Sequence, residues 1–238
     1  MDIKERIKRV IETYGANHEN LRDLFDAVRL CEDKVEKREW LLYVRKMCRS
    51  VSNEKVYELM RLTYVLGAQD GSFDDYCIAL EWYRAPEKRF YLPRRHVLIR
   101  LVEDLQDLFD GNIDFLGISL PPRSGKSTLC ILFMTFVMGH RPDVASVMSG
   151  HSDKLTDGFY RELLSIITDD TQYRWHDVFP DVQIVDNSAK NETIDLNRKK
   201  RFPTMTCRSI SGTLTGAVEI GTGGVLYCDD LIEDSRAD

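Results

Sequence analysis

The sequence contains no hydrophobic run long enough to cross a membrane. Its longest apolar stretch, residues 129–138, has ten residues, whereas a membrane-spanning helix needs about 20. The chain opens with Met1-Asp-Ile-Lys-Glu-Arg, which is mostly charged, and no signal peptide is expected there. We therefore expect an intracellular protein that does not bind a membrane.

The cysteines are not spaced as a zinc site, a redox motif or a disulfide framework. No two of the six are separated by two residues, so the C-x-x-C pattern is absent. Several lie in apolar segments, which indicates reduced, structural thiols in an intracellular protein. The six are Cys31, Cys48, Cys77, Cys130, Cys207 and Cys228.

An excess of basic residues is also missing. Lys and Arg number 33 against 39 Asp and Glu, and the net charge is −6. General attraction of the whole molecule to nucleic acid is therefore excluded, and any contact with DNA must use a local patch or an assembly. The sequence contains neither an internal repeat nor a low-complexity segment.

The composition is that of a globular protein with a break near position 85. The 238 residues, 43% of them hydrophobic and 30% charged, are enough for one or two domains. Ala85-Pro86 interrupts the pattern, so we predict a helical N-terminal region over 1–85 and a second domain over 86–238. In the first region Ile3, Ile7 and Val10 recur at helical spacing.

Four more helices are predicted in the N-terminal region. They cover residues 21–31, 37–49 and 76–83, with another that begins after Ser52-Asn53 and ends at Gly67. The pattern fits a small bundle with its own core and equally a docking module for a partner.

The stretch 114–128 dominates the rest of the chain. It predicts an apolar strand over 115–120, a tight polar loop and the start of a helix, and its Gly125-Lys126-Ser127 is the end of a Walker A phosphate loop. Gly125 lets the backbone approach a phosphate. Lys126 supplies a positive charge for the β- and γ-phosphates, and the Ser127 hydroxyl takes one Mg²⁺ position.

One residue departs from the pattern G-x-x-x-x-G-K-[ST], because Leu120 stands where the first glycine belongs. A chance Gly-Lys-Ser at a helix start is the alternative, but the apolar segments on both sides favour the phosphate loop. The residues predicted to contact a nucleotide here are Pro122, Arg123, Ser124, Gly125, Lys126, Ser127 and Thr128.

A second predicted strand, about a hundred residues later, ends in acidic residues. The apolar residues 225–228 lead into Asp229 and Asp230, which is the Walker B form. We expect Asp229 to hold Mg²⁺ through water opposite Ser127, and Asp230 to orient and polarise the attacking water. A buried strand that ends in a helix-capping Asp pair is the alternative.

The order of elements predicts the fold class. A strand over 144–149 and a helix over 153–167 follow the phosphate loop, so an α/β fold is expected, with a mostly parallel sheet flanked by helices. Residues 192–196 and 202–209 are expected to form an antiparallel hairpin. Its basic turn, 197–201, is either a solvated tip or a contact for DNA phosphate.

Two further segments are candidates for contact with a nucleotide. Tyr91, Arg95 and His96 precede a predicted helix over 97–109 and are candidates for contact with adenine, although a packed linker explains them equally well. The hydroxyl-rich loop 209–216 approaches a nucleotide or a neighbouring subunit, or is an ordinary connector.

Taken in order, these residues resemble the ATPase domain of the large terminase subunit of tailed phages. The resemblance covers about residues 90–238. It rests on Leu92-Pro93 with His96 before a helix, on residues 120–127, which are similar to the family's P-P-R-x-G-K-S loop, and on 147–155, Phe179-Pro180, 212–216 and 228–230.

The resemblance implies a RecA-like (ASCE) P-loop NTPase fold and a motor that hydrolyses ATP with Mg²⁺ to drive double-stranded DNA into an empty procapsid. Implied partners are the small terminase subunit, the portal protein and sibling subunits in a homo-oligomeric ring. The implied location is the cytoplasm of the host cell.

The same resemblance assigns residue roles. Lys126 and Ser127 keep the roles given above, as do Asp229 and Asp230. Arg123 corresponds in position to an arginine in the family's phosphate loop. That resemblance implies that Arg123 either stabilises the transferred γ-phosphate or couples the nucleotide state to movement. Catalytic roles thus fall to Lys126, Asp230 and Arg123; Glu233 and Asp234 are alternatives for the second acid, and Arg201 and Arg208 are candidates for a trans arginine finger.

The family continues with a further strand and then a nuclease domain, and this sequence ends eight residues after Asp230. We therefore expect a truncated ATPase core that does not cut DNA and turns ATP over weakly or not at all by itself. Two rival functions stay open: a helicase-like translocase, and an assembly module that binds nucleotide without turnover. A small-molecule kinase is disfavoured because it needs a lid and an acceptor site.

Overall fold

The computed structural model describes residues 2–211 and 219–231. The chain forms two compact units that divide between Trp82 and Tyr83, close to the break at Ala85-Pro86. Most of the hydroxyl-rich loop 209–216, together with Glu233 and Asp234, lies outside the described residues.

The first unit is helical, as the 3.6-residue spacing of its apolar residues predicts. Polar side chains start each helix: Asp33, for example, accepts hydrogen bonds from the amides of Val35 and Glu36. Buried residues from the first four helices form one hydrophobic core. The helices are α1 (Ile3–Tyr14), α2 (His18–Arg29), α3 (Lys34–Cys48), α4 (Glu54–Gln69) and α5 (Phe73–Leu80).

The prediction that Gly67 ends a helix is wrong. Helix α4 continues to Gln69, and Gly67 is buried within it. A Cβ at this position would lie 1.8 Å from Asp75 Oδ2, where Asp75 receives two hydrogen bonds of 2.8 Å from Arg45. Gly67 therefore lets a buried ion pair approach the helix; the glycine that follows the helix end is Gly71, with φ 103°.

The second unit combines helices with a mixed sheet, so the α/β part of the prediction is confirmed. Its sheet has the order β2-β3-β4-β1-β5, with β1 parallel to both β4 and β5, and β3 antiparallel to β2 and β4. Its elements are a 3₁₀ turn (Pro86–Lys88), α6 (Tyr91–Asp110), α7 (Lys126–His140), β1 (Ser146–Gly150), α8 (Asp153–Thr168), α9 (Trp175–Val178), β2 (Ile184–Ser188), β3 (Thr193–Leu196), β4 (Met205–Ser209) and β5 (Leu226–Asp229).

The predicted hairpin is confirmed as the antiparallel pair β3 and β4. Strand β2 was not predicted, because its residues alternate only between half-buried and exposed and give a weak apolar signal. Helix α7 is buried along residues 129–139, as its continuous apolar sequence requires. Trp175 is fully buried and donates from Nε1 to the Thr135 carbonyl oxygen in α7, at 3.1 Å.

The predicted strand over 115–120 is not formed. Residues 113–120 are in neither a helix nor a strand, and Phe115 is 85% exposed. Within the described ranges, their backbone groups make no hydrogen bond to one another or to β5. A strand exists only where a neighbour satisfies its backbone, so an apolar sequence alone was not enough to predict one.

Helix α6 begins at Tyr91 rather than at the predicted residue 97. Pro93 lies in its first turn, where the missing N–H of proline costs no intrahelical bond. None of the helices among residues 2–211 and 219–231 is long and apolar enough to span a bilayer.

Candidate functional site

Three predicted site residues meet where α7 begins and β5 ends. Lys126 and Ser127 occupy the first turn of α7, and Asp229 is the last residue of β5. Lys126 Nζ lies 2.9 Å from Asp229 Oδ1, and Ser127 Oγ donates to Asp229 Oδ2 at 2.7 Å. Residues about a hundred positions apart therefore share one carboxylate, because β5 carries its acid to the start of α7.

The electrostatics of this trio keep it charged at neutral pH. Burial acts to raise the pKa of Asp229, but hydrogen bonds from Lys126 and Ser127 outweigh burial and lower it. The hydrogen bond that Lys126 donates to Asp229 raises the pKa of Lys126. The Asp229 contribution to stability is therefore present above the ordinary Asp pKa of about 3.9 and fades as pH falls through the lowered value; the Lys126 contribution is present below about 10.4 and fades as pH rises through the raised value.

The loop before α7 has open hydrogen-bonding groups. Ser124 N donates to the Pro121 carbonyl oxygen at 3.3 Å, and the Ser124 hydroxyl is buried without a hydrogen-bond partner among the described residues. The first amides of α7 have no acceptor inside the helix, as at any helix start. These donors and the adjacent Lys126 suit an anionic, phosphate-like ligand.

Two loop residues have left-handed backbone conformations. Gly125, with φ 95°, directly precedes α7, and Arg123 has φ 63° and is exposed. Within the described part of the chain, the Arg123 side chain makes no hydrogen bond or ion pair. The other predicted contacts lie beside them, with Pro122 exposed in the turn and Thr128 half-buried in the first turn of α7.

The residues that cover the loop are not those predicted. Tyr91 is fully buried, so its ring cannot contact a base, and that prediction is wrong. Arg95 and His96 are exposed on α6 rather than in a segment before it. The contacts with Gly125 come instead from Phe90 and Arg94, since a Cβ on Gly125 would lie 2.6 Å from the Phe90 ring and 3.8 Å from Arg94 Cδ.

A phosphate-binding role of the loop predicts that Gly125→Ala lowers ATP affinity at least tenfold, measured by isothermal titration. The new methyl group would clash with Phe90, and a left-handed φ costs an L-residue about 1–2 kcal/mol. The matched control is Gly158→Ala in α8, where a Cβ meets nothing within 4 Å; this change should leave affinity unchanged. Wild-type affinity in Gly125→Ala would show that the loop backbone does not bind phosphate.

Asp230 lies directly after β5 and is exposed, with φ 50°. It adjoins Asp229 in the chain, and its charge contributes to raising the pKa of Lys126. The Tyr227 hydroxyl is also near and is buried beside Asp229 and Ser127. Burial raises the pKa of Tyr227 and raises that of Cys130 to about 12, so both groups stay protonated beside Asp229.

A cavity of about 870 Å³ separates residues 113–118 from β5. Its walls also include apolar side chains of α6 and α7, among them Phe133 and Met134. Lys126 and Asp229 lie on its wall, but none of residues 121–125 does. The cavity therefore adjoins the candidate site at Lys126 and Asp229, and it lies between residues 113–118 and β5.

The basic turn 197–201 is largely neutralised within its own unit. Arg198 pairs with Asp143 at 2.8 Å and Lys199 with Asp186 at 2.5 Å. Lys200 donates to the Pro142 carbonyl oxygen at 2.6 Å. The Arg201 guanidinium lies 5.1 Å from the centre of the Phe202 ring. These contacts favour the solvated hairpin tip over a DNA contact.

The donor set fits a magnesium ion bound together with phosphate. Mg²⁺ takes oxygen ligands and is held by one or two carboxylates plus substrate phosphates, and Ser127 Oγ and Asp229 supply two protein oxygens. Among the described residues, no group of three or more His, Cys, Asp or Glu side chains could hold a metal without such help.

Sequence reasoning missed Phe90, Arg94 and His151. A signal for His151 was present, since ligands of open α/β sheets gather at the carboxyl ends of parallel strands and His151 directly follows β1. Comparison of the chain with protein-family models, with curated proteins and with solved structures found no match.

Proposed function

We propose that the chain binds Mg²⁺–ATP through the 121–125 loop, Lys126, Ser127 and Asp229, and hydrolyses it as the ATPase portion of a viral DNA-packaging motor. One observation carries the nucleotide-binding part: Lys126 and Ser127 both contact the carboxylate of Asp229. A lysine, a hydroxyl and a strand-end acid in one place are the protein groups that phosphoryl transfer with magnesium requires.

Each residue has a distinct task in this proposal. Lys126 leaves Asp229 and places its ammonium on the β- and γ-phosphate oxygens. Ser127 and Asp229 would hold Mg²⁺, which would supply further positive charge to the phosphates. Arg123, unpaired within the described residues, adds positive charge at the γ-phosphate. Asp230 orients the attacking water and accepts its proton.

The substrate of the motor, double-stranded DNA, and its partners rest on the resemblance to large terminase subunits. Its phosphate-loop and Walker B positions, 120–127 and 228–230, are those that converge on the candidate site. The small terminase subunit, the portal protein and a homo-oligomeric ring complete this proposal. The net charge of −6 requires that DNA be gripped by a local surface of the assembly rather than by the whole chain.

The test is steady-state hydrolysis of Mg²⁺–ATP by the chain, alone and with double-stranded or single-stranded DNA. The motor is supported if double-stranded DNA stimulates phosphate release more than single-stranded DNA does. Stimulation by single strands alone would favour a helicase-like translocase instead. Phosphate release at the background rate under every condition, with ATP bound, would contradict hydrolysis by this chain.

Nucleotide binding without turnover is the second candidate. It is favoured by residues 113–120, which lead into the loop but pair with no strand among the described residues. A loop held from one side only is less well preorganised for catalysis. Tight ATP binding that changes the assembly state of the chain, with no phosphate release, is the result that this candidate predicts.

A further inference from the structure

Strands β1 and β5 end side by side, and the residues that directly follow the two strands are hydrogen-bonded to each other. Gly150 pairs with Asp229. His151, which follows β1, donates from its backbone N to the Asp230 carbonyl oxygen at 3.1 Å. Its ring Nδ1 lies 2.9 Å from the same oxygen. A carbonyl oxygen only accepts, so Nδ1 carries the hydrogen, as it does in the Nδ1–H tautomer and in the imidazolium ion.

The backbone of Asp230 has an uncommon conformation. Its φ of 50° lies in the left-handed region, which is sparsely populated by residues other than glycine, even though aspartate tolerates it better than most. Such a conformation persists where the surrounding structure holds it. Among residues 2–211 and 219–231, the two hydrogen bonds that reach the Asp230 carbonyl oxygen both come from His151.

The two acids at the end of β5 are held in different ways. The carboxylate of Asp229 is bound on both oxygens by Lys126 and Ser127. The Asp230 carboxylate is exposed and, within the described ranges, makes no side-chain hydrogen bond. Asp230 is therefore held through its backbone rather than through its side chain, and its carbonyl oxygen is bound to His151.

We propose that His151 is a positioning residue that holds Asp230 in its left-handed conformation and so keeps the Asp230 carboxylate at the phosphate site. This inference rests on the proposed function, in which Asp230 orients the attacking water. His151 touches neither the loop nor Lys126 in the contacts described above; it acts through the Asp230 carbonyl.

The test compares His151→Ala with His151→Asn, whose side-chain amide keeps a donor near the position of Nδ1. Losing one neutral hydrogen bond that orients a reacting group is expected to lower kcat for ATP hydrolysis about tenfold in His151→Ala. KM should stay within about twofold, because Lys126, Ser127 and Asp229 are untouched. His151→Asn should recover most of kcat, which a loss of packing alone would not allow.

A double-mutant cycle with Asp230→Asn tests whether His151 affects kcat through the Asp230 carboxylate. Once the Asp230 carboxylate is gone, His151→Ala should lower kcat no further. A further tenfold loss in the double variant, or an unchanged kcat in His151→Ala with an active wild type, would overturn the inference and leave the proposed function standing. Absence of ATP binding by the wild type would instead overturn both.

If the chain binds ATP but does not hydrolyse it, nuclear magnetic resonance tests whether His151 holds Asp230. The ring ¹⁵N shifts of His151 should show a protonated Nδ1, and His151→Ala should change the Asp230 carbonyl and Leu231 amide shifts. His151→Asn should restore them toward wild type. Unchanged shifts in His151→Ala would show that His151 does not hold Asp230, and the inference would be wrong.

Discussion

Replacing Lys126 by alanine is expected to lower Mg²⁺–ATP turnover by about 10²- to 10³-fold relative to the unaltered chain. The change removes a preorganised positive charge from the oxygens on which charge develops, and loss of one such group in other enzymes has an effect of this size. ATP affinity should fall about tenfold or more, since a hydrogen bond to a charged group contributes about 1.5–3 kcal/mol.

The matched control for this change is Lys154→Ala. Lys154 is exposed in the first turn of α8, so its loss also removes one positive charge near a helix start. Lys154→Ala should leave turnover and affinity unchanged. Thermal unfolding followed by circular dichroism should stay cooperative in both variants, and equal ATP affinity in Lys126→Ala and the unaltered chain would contradict the phosphate-binding role.

Replacing Asp229 by asparagine is expected to remove the dependence of ATP binding on magnesium. In the unaltered chain the Asp229 carboxylate holds Lys126 at 2.9 Å and would repel a triphosphate that lacks a metal. The asparagine variant loses that repulsion and frees Lys126. Metal-free ATP should therefore bind Asp229→Asn at least as tightly as it binds the unaltered chain, while added Mg²⁺ should bring no gain.

Turnover by Asp229→Asn should fall by about 10²-fold or more, because a metal ligand is lost along with its charge. The matched control is Asp157→Asn, since Asp157 is a carboxylate on α8 that pairs with Arg161 at the surface and should tolerate the change. ATP titrations with Mg²⁺ and with a chelator give the comparison. A magnesium-dependent gain in affinity that survives in Asp229→Asn would exclude Asp229 as a metal ligand.

The trio at the site could be predicted from the sequence because its signals are local. Gly125-Lys126-Ser127 before an apolar helix and an apolar strand that ends in Asp229 each depend on a few neighbouring residues. Their meeting follows from a general property of α/β folds, in which strand ends and helix starts gather at one edge of the sheet. The hairpin β3–β4 was predictable for a similar reason, since its pairing is between neighbours in sequence.

The failures involve partners that are distant in the chain. Residues 115–120 are apolar enough for a strand, but a cavity lies where a neighbour is needed. Tyr91 was predicted to contact a ligand because it precedes an amphipathic pattern. In the structure, α6 includes Pro93 in its first turn and begins at Tyr91, whose side chain is buried in the core. The bond between His151 and Asp230 joins residues 79 positions apart and leaves no pattern in either segment.

Asp230 shows why the site could be predicted only in part. Its position after Asp229 is visible in the sequence, whereas its left-handed backbone and the support from His151 are not. The chemistry proposed for Asp230 depends on both. Residue identity therefore predicted the candidate role, and tertiary contacts determine whether the carboxylate is held where that role requires.

The most direct test of the account is calorimetric titration of the unaltered chain with ATP, with ATP and a chelator, and with AMP. A site built from Lys126, Ser127 and Asp229 recognises the β- and γ-phosphates and their metal. We predict saturable binding of Mg²⁺–ATP, weaker binding with the chelator, and no competition by AMP. No binding of Mg²⁺–ATP, or equal binding of ATP and AMP, would contradict the assignment of this site.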